Sequence, residues 1–189
     1  MSIPNAIETI TADEYLTGEQ LSSIRHEYIA GQVFAMAGVS EKHNRIAGNV
    51  FFHLRAATRG THCGVFMGDM KVHIATSEIF YYPDVVLTCD ADDRKPFYKT
   101  APCLIAEVLS PSTELTDRRE KLANYRMLPS LRYYLLVDQT QQKVELYQRN
   151  EVGQWLYSCY EDAGELHFDC PPLQLQFTLA DLYEDVVLP

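Results

Sequence analysis

Two carboxylates sit where a folded chain is expected to exclude them. Asp84 lies in "YYPDVVLTC", residues 81–89, and Glu107 lies in "CLIAEVLSPST", residues 103–113. Both stretches are apolar at odd and even positions, the pattern of strands covered on both faces. An unpaired buried carboxylate is so costly that it must be protonated, ion-paired or bound to a metal. If the two strands pair antiparallel, the start of the first meets the end of the second. Neighbouring strands lie about 4.8 Å apart, so one cation can touch both acids. Two converging carboxylates suit a hard divalent cation such as Mg2+, or Mn2+ in its place, held by one or two protein acids with waters and a substrate phosphate completing the shell.

Structural readings stand beside this chemistry. An Asp that follows a proline is often a turn or cap residue, and Glu107 has Arg118, Arg119 and Lys121 as candidate ion-pair partners. In "DRREKLANYR", residues 117–126, Asp117, Lys121 and Asn124 or Tyr125 fall on one helical face. From there Lys121 can reach back over the strand ends and set a positive charge beside the acids. The plain alternative is a surface i, i+4 pair between Asp117 and Lys121, worth about 0.3–0.5 kcal/mol.

The elements that must position these residues follow from pattern. Thr11 caps a short helix in "TADEYL", and "HEYIAGQVFAMAG" reads as two short strands around Ala30-Gly31. Ser40 caps a helix over 41–58, with Ile46, Val50, Leu54 and Ala57 at helical spacing. "CGVFM" and "KVHI" are short strands; "FYYPDVVLTC", "CLIAEVLS" and "LRYYLLVD" are two-sided ones. The helix in "STELTDRREKLANYRML", stopped before Pro129, is a natural crossover between the Glu107 strand and a parallel "YYLLVD". "KVELYQR", "WLYSCY" and "ELHF" continue as a meander, and Thr178 caps a final helical turn. The order implies an α/β fold with a mixed sheet, in one domain over 1–189.

The 189 residues suffice for a sizeable core, with 47% hydrophobic and 22% charged residues. The net charge of −10 argues against a protein that coats nucleic acid with its whole surface, though not against a local basic face. No run approaches the roughly 18–20 apolar residues of a membrane span, and no secretory leader is read at the N-terminus, so a cytoplasmic protein without a membrane partner is expected. Cys63, Cys89, Cys103, Cys159 and Cys170 form no CxxC pair and read as small reduced core residues. No HxH or HExxH spacing suggests a zinc site.

The ordered set Pro83-Asp84, "EVLSP" at 107–111, Asp117, Lys121, Tyr125 and "YYLLVD", with "HEYIAGQVFAMAGVSEKHNRIAGNV" upstream, resembles the Uma-two family of restriction-endonuclease-like proteins, within the PD-(D/E)xK nuclease superfamily. The resemblance runs from about Ile7 to Tyr183. It implies a restriction-endonuclease-like core, a mixed central β-sheet flanked by helices, with an N-terminal helix and β-hairpin extension. It also implies Mg2+-dependent hydrolysis of phosphodiester bonds in nucleic acid, DNA before RNA. Asp84 and Glu107 match the motif acids as metal ligands, with the Val108 carbonyl as a third. The superfamily lysine is expected two residues after the Glu, where this chain has Leu109; Lys121 matches a helix lysine that takes its place. Glu27 and His43 match further site positions, as an early acid and as a phosphate contact or proton relay. Each also has a structural reading, as a hairpin acid and as a helix-end histidine. Asp69 sits where the family tends to have an acid and reads equally as a turn residue. A homodimer is compatible with this reading. The departure at Leu109 leaves a second one open, a weak or inactive nuclease-fold module that binds nucleic acid or acts as a scaffold.

Overall fold

The computed structural model describes residues 9–188. The first eight residues, where the absence of a leader was partly read, lie outside that range. Among the described residues no helix is long and apolar enough to cross a membrane.

The chain opens with α1 (Ala12–Leu21), whose N-cap Thr11 and Glu14 exchange hydrogen bonds in a capping box. A hairpin follows, β1 (His26–Ile29) and β2 (Gln32–Ala35), turned by Ala30 and Gly31 at positive φ. Next comes α2 (Glu41–Ala57), capped by Ser40 as its sequence predicts. Strands β3 (Gly64–Met67), β4 (Lys71–Ile74), β5 (Ile79–Tyr81), β6 (Val85–Thr88), β7 (Tyr98–Lys99) and β8 (Pro102–Leu109) lead into the crossover helix α3. This helix has three continuous parts: Glu114–Thr116, a π turn at Asp117–Lys121, and Leu122–Tyr125. Then come β9 (Tyr133–Asp138), β10 (Lys143–Arg149), β11 (Trp155–Glu161), β12 (Glu165–Cys170) and β13 (Leu173–Thr178). The final turn is α4 (Leu179–Leu182), with Thr178 and Asp181 in a second capping box.

These strands form two main sheets, not one. The larger runs β11-β10-β9-β8-β6-β3, and the smaller runs β2-β1-β5-β4-β7. In the larger sheet β6 pairs antiparallel with β8, and β8 pairs parallel with β9, as the sequence predicts. The expected single strand "FYYPDVVLTC" is instead broken at Tyr82-Pro83-Asp84. Pro83 cannot donate to a ladder, so pairing stops there. The chain leaves the small sheet as β5 and enters the large one as β6, with Asp84 at the crossing point.

Each face of the large sheet carries its own core. Leu104, Ala106 and Val108 of β8 pack with Ile46, Val50 and Leu54 of α2. Ile105 and Leu109 face the other way, toward α3 and the small sheet, among Leu122, Tyr125, Val72 and Tyr81. Ala57, expected in the apolar stripe of α2, is exposed.

Two further expectations need correction. "ELHF" does not extend the meander beyond β11; as β12 it pairs with β13 in a separate hairpin that covers the α2 face. Nor are the cysteines all reduced core residues. Cys63 bonds to Cys89 and Cys103 to Cys170, while Cys159 is free and exposed. Antiparallel pairing of β3 and β6 sets Cys63 opposite Cys89, one step beyond Gly64 and Thr88. The β12–β13 hairpin carries Cys170 to the start of β8. Neither approach is visible in linear spacing.

Because β9 lies at the centre of the large sheet, its side chains serve both cores. Leu135 is fully buried on the α2 side. Replacing Leu135 with Ala is expected to cost about 2–5 kcal/mol, read as a lower urea midpoint at unchanged slope.

Candidate active site

The two motif acids meet because β6 runs against β8. Val85 is the register partner of Ala106, so Asp84 and Glu107 are the next step along the same ladder. Their groups interlock. The Asp84 amide donates to Glu107 Oε2 at 3.2 Å, and the Val108 amide donates to Asp84 Oδ2 at 2.7 Å. In an extended strand the N–H and C=O of one residue face the same neighbour, so the Val108 carbonyl is also directed toward the Asp84 side.

Glu107 and Leu109 lie on the same face of β8, beneath α3. Leu109 is spent in the core there, and the positive charge comes from α3 instead. Lys121 Nζ lies 3.2 Å from Glu107 Oε1, 3.1 Å from Glu27 Oε1 and 3.3 Å from Asp117 Oδ1, the last without hydrogen-bond geometry. The Tyr81 ring flanks the ammonium at 5.4 Å. The π turn sets Asp117 and Lys121 side by side, and the Tyr134 hydroxyl donates to the Asp117 carbonyl within it.

Glu27 reaches the cluster from the small sheet, where β1 pairs with β5, and also accepts from the Tyr82 amide at 3.3 Å. His43 reaches it from the first turn of α2. Its Nε2 lies 3.2 Å from Asp84 Oδ2, while its Nδ1 is buried without a partner. An orphan lone pair costs less than an orphan N–H, so the arrangement fits the tautomer that donates from Nε2. Gln139 fixes the end of α2 by accepting from Ser40 Oγ at 2.5 Å and donating to the Leu109 carbonyl at 2.9 Å.

The electrostatics are lopsided. Glu27, Glu107 and Asp117 surround one lysine, and Asp84 stands beside Glu107. Burial pushes the Glu107 carboxyl well above its ordinary range, Lys121 opposes this, and Asp117, Asp84 and Glu27 reinforce it. Asp117 is raised, again chiefly by burial. For Lys121 burial disfavours the charge, yet Glu107, Glu27 and Asp117 together outweigh it and hold the ammonium well above its usual value. By residue count four carboxyls share this cluster with one buried lysine, and the raised Glu107 and Asp117 carboxyls express that crowding, which protonation or a bound cation would relieve.

All five expected site side chains, Asp84, Glu107, Lys121, Glu27 and His43, line one cleft of about 870 Å3. Asp69 does not join them; it is mostly exposed and pairs with Arg25 at 2.9 Å. Tyr125, whose hydroxyl donates to Glu107 Oε1 at 3.0 Å, and Tyr82 are contacts that sequence reading left without a role in the site. The helical face shared by Lys121 and Tyr125 was the signal for the first; nothing local marks the second.

Hard oxygen donors crowded in one cleft fit a divalent cation, whose charge would favour their ionised form. Among the described residues no three His, Cys, Asp or Glu side chains form a ready-made metal cage. A Mg2+-type site, which uses one or two carboxylates and otherwise waters and substrate, does not need one.

The architecture is that of a restriction-endonuclease-like nuclease fold. It superposes with a TM-score of 0.75 on a crystal structure titled "putative nuclease belonging to DUF820", from Anabaena variabilis, covering 94% of this chain and 99% of that one at 17% identity. The chain belongs to the Uma2 family, described as "Putative restriction endonuclease", which matches residues 12–181. Two Synechocystis relatives, the uncharacterized proteins slr1290 and sll1609, are each 36% identical to it. The first match covers 92% of this chain and 91% of the relative, and the second 82% and 90%.

Removing the ammonium leaves buried acids without their counter-charge. Lys121→Met is expected to destabilise the fold by about 3–5 kcal/mol. At roughly 2–4 °C per kcal/mol for a domain of this size, thermal melting followed by circular dichroism checks it.

Proposed function

We propose that the protein is a metal-dependent endonuclease that hydrolyses phosphodiester bonds of DNA. The observation that carries this reading is the convergence of Asp84, Glu107 and Lys121 from three different elements on one open cleft. Asp84 and Glu107 would hold Mg2+ or Mn2+, with the Val108 carbonyl beside them. When bound, the cation supplies Lewis acidity toward the phosphate and lowers the pKa of a water nucleophile.

The chain's own groups do the positioning. The Val108 amide and His43 fix Asp84, while Tyr125, Lys121 and the Asp84 amide fix Glu107. Lys121 lies at the cleft wall, where its charge opposes the negative charge that develops on the phosphoryl oxygens. Glu27 is the early acid that completes the cluster around it. His43, linked to Asp84 at the N-terminal end of α2, would act as a proton relay through that contact; with Nε2 on Asp84 and Nδ1 buried, it has no free nitrogen for a phosphate.

Two observations favour a second reading. Lys121 is already ion-paired three times, and the net charge is −10, which suits a weak or inactive nuclease fold kept for binding.

Supercoiled plasmid and single-stranded substrates, incubated with Mg2+ or Mn2+, separate the two. The enzyme reading expects cleavage by the wild type, none in EDTA, and at least about 100-fold slower cleavage by Asp84→Asn and by Glu107→Gln. Absence of cleavage by the wild type with either metal favours the binding module. Equal residual rates in wild type and both variants would point to a contaminant.

A further inference from the structure

The hairpin that carries Glu27 presents an apolar wall to the same cleft. Glu27 is the direct register partner of Phe34, so both side chains stand on one face of the β1–β2 ladder. Glu27 reaches the Lys121 ammonium, while Phe34 remains nearly half exposed, at 46%. Met36 and Val39 continue the wall at 40% and 57% exposure, and all three residues line the cleft.

An exposed aromatic ring one strand away from a site acid has a definite use in a phosphodiester-cleaving site. The rest of the cleft is poor at holding phosphates. Among its described lining residues the formal cations are Lys42 and Lys121, the second held by three carboxylates, against Glu27, Glu41, Asp84, Glu107 and Asp117. A duplex carries one negative charge per about 1.7 Å of axis, and its binders neutralise many phosphates with Lys and Arg. This cleft has no such supply. Base stacking on an aromatic ring needs no cation and tolerates any base, but it requires a base freed from its partner.

We infer that Phe34, with Met36 and Val39 beside it, is a stacking platform for an unpaired nucleobase, and that the substrate class is single-stranded nucleic acid or an extruded strand end rather than intact duplex. This rests on the nuclease reading and narrows its substrate. Phe34 is thus a specificity-determining residue. It holds the base flanking the bond that the acid cluster addresses.

The test is equilibrium binding by fluorescence anisotropy, with one labelled oligodeoxynucleotide offered single-stranded and as its duplex, in Ca2+ buffer. Tighter binding of the single strand is expected, with Phe34→Ala weakening it roughly 5- to 100-fold and leaving the salt dependence of binding unchanged. Phe34→Trp should restore binding and show tryptophan quenching when the oligonucleotide is added. Phe52→Ala, which removes a more exposed ring outside the cleft, should change nothing.

Duplex binding as tight as single-strand binding, or a Phe34→Ala variant that binds like wild type, overturns the inference while leaving cleavage to stand or fall by its own assay. So does a sedimentation result in which Phe34→Ala dissolves a dimer without altering oligonucleotide affinity, because the wall then belongs to a second copy. Phe34-dependent binding without cleavage supports the platform and overturns the catalytic reading instead.

Discussion

The ammonium of Lys121, buried among Glu27, Glu107 and Asp117, is the contact on which the rest of the site depends. Each acid comes from a different element: Glu27 from the small sheet, Glu107 from the centre of the large one, Asp117 from the crossover helix. One cation thus ties together the two sheets and α3 at the point where their ends meet. Charges taken out of water are tolerated only when paired with good geometry, and here one lysine serves three partners. Asp84, the most exposed of the four acids, lies outside these three ion pairs.

The division of the chain into two sheets serves this arrangement. Pro83 ends pairing in the small sheet and lets Asp84 lead into the large one, so the same short crossing places Tyr82 against Glu27 and Asp84 against Glu107. The α2 core below and the α3 core above hold β8 rigid between them. Glu107 can then be fixed by Tyr125 and Lys121 from above, while Asp84 is fixed by His43 from the α2 side. Leu109 packs in the core under α3, and Lys121 brings its charge to Glu107 because α3 lies over that face.

Much of this was legible in the residues. Two-sided apolar strands with one acid each, read as an antiparallel pair, gave the meeting of Asp84 and Glu107. Helical spacing put Lys121 and Tyr125 on one face, and the Ala30-Gly31 turn marked the hairpin of Glu27. Other features depend on contacts between segments far apart in sequence, which local pattern does not encode. The switch of sheets at Pro83 was hidden because an apolar run reads the same whether it belongs to one sheet or two. The pairing of β12 with β13, and the approach of Cys170 to Cys103, follow from how the C-terminal hairpin folds over α2. Asp69 had the residue type expected of a site acid, but Gly68 turns it outward to Arg25. The π turn in α3 likewise has no signature in "DRREK"; it arises where the Asp117 carbonyl meets the Tyr134 hydroxyl.

The central claim is that Asp84 and Glu107, interlocked in the cleft beside Lys121, form a seat for a divalent cation. Calorimetric titration of Mn2+ into the wild-type protein, and into Asp84→Asn/Glu107→Gln shown by circular dichroism to be folded, tests it most directly. Saturable uptake by the wild type that disappears in the double variant is the expected result. Indistinguishable heats from the two proteins would contradict the claim.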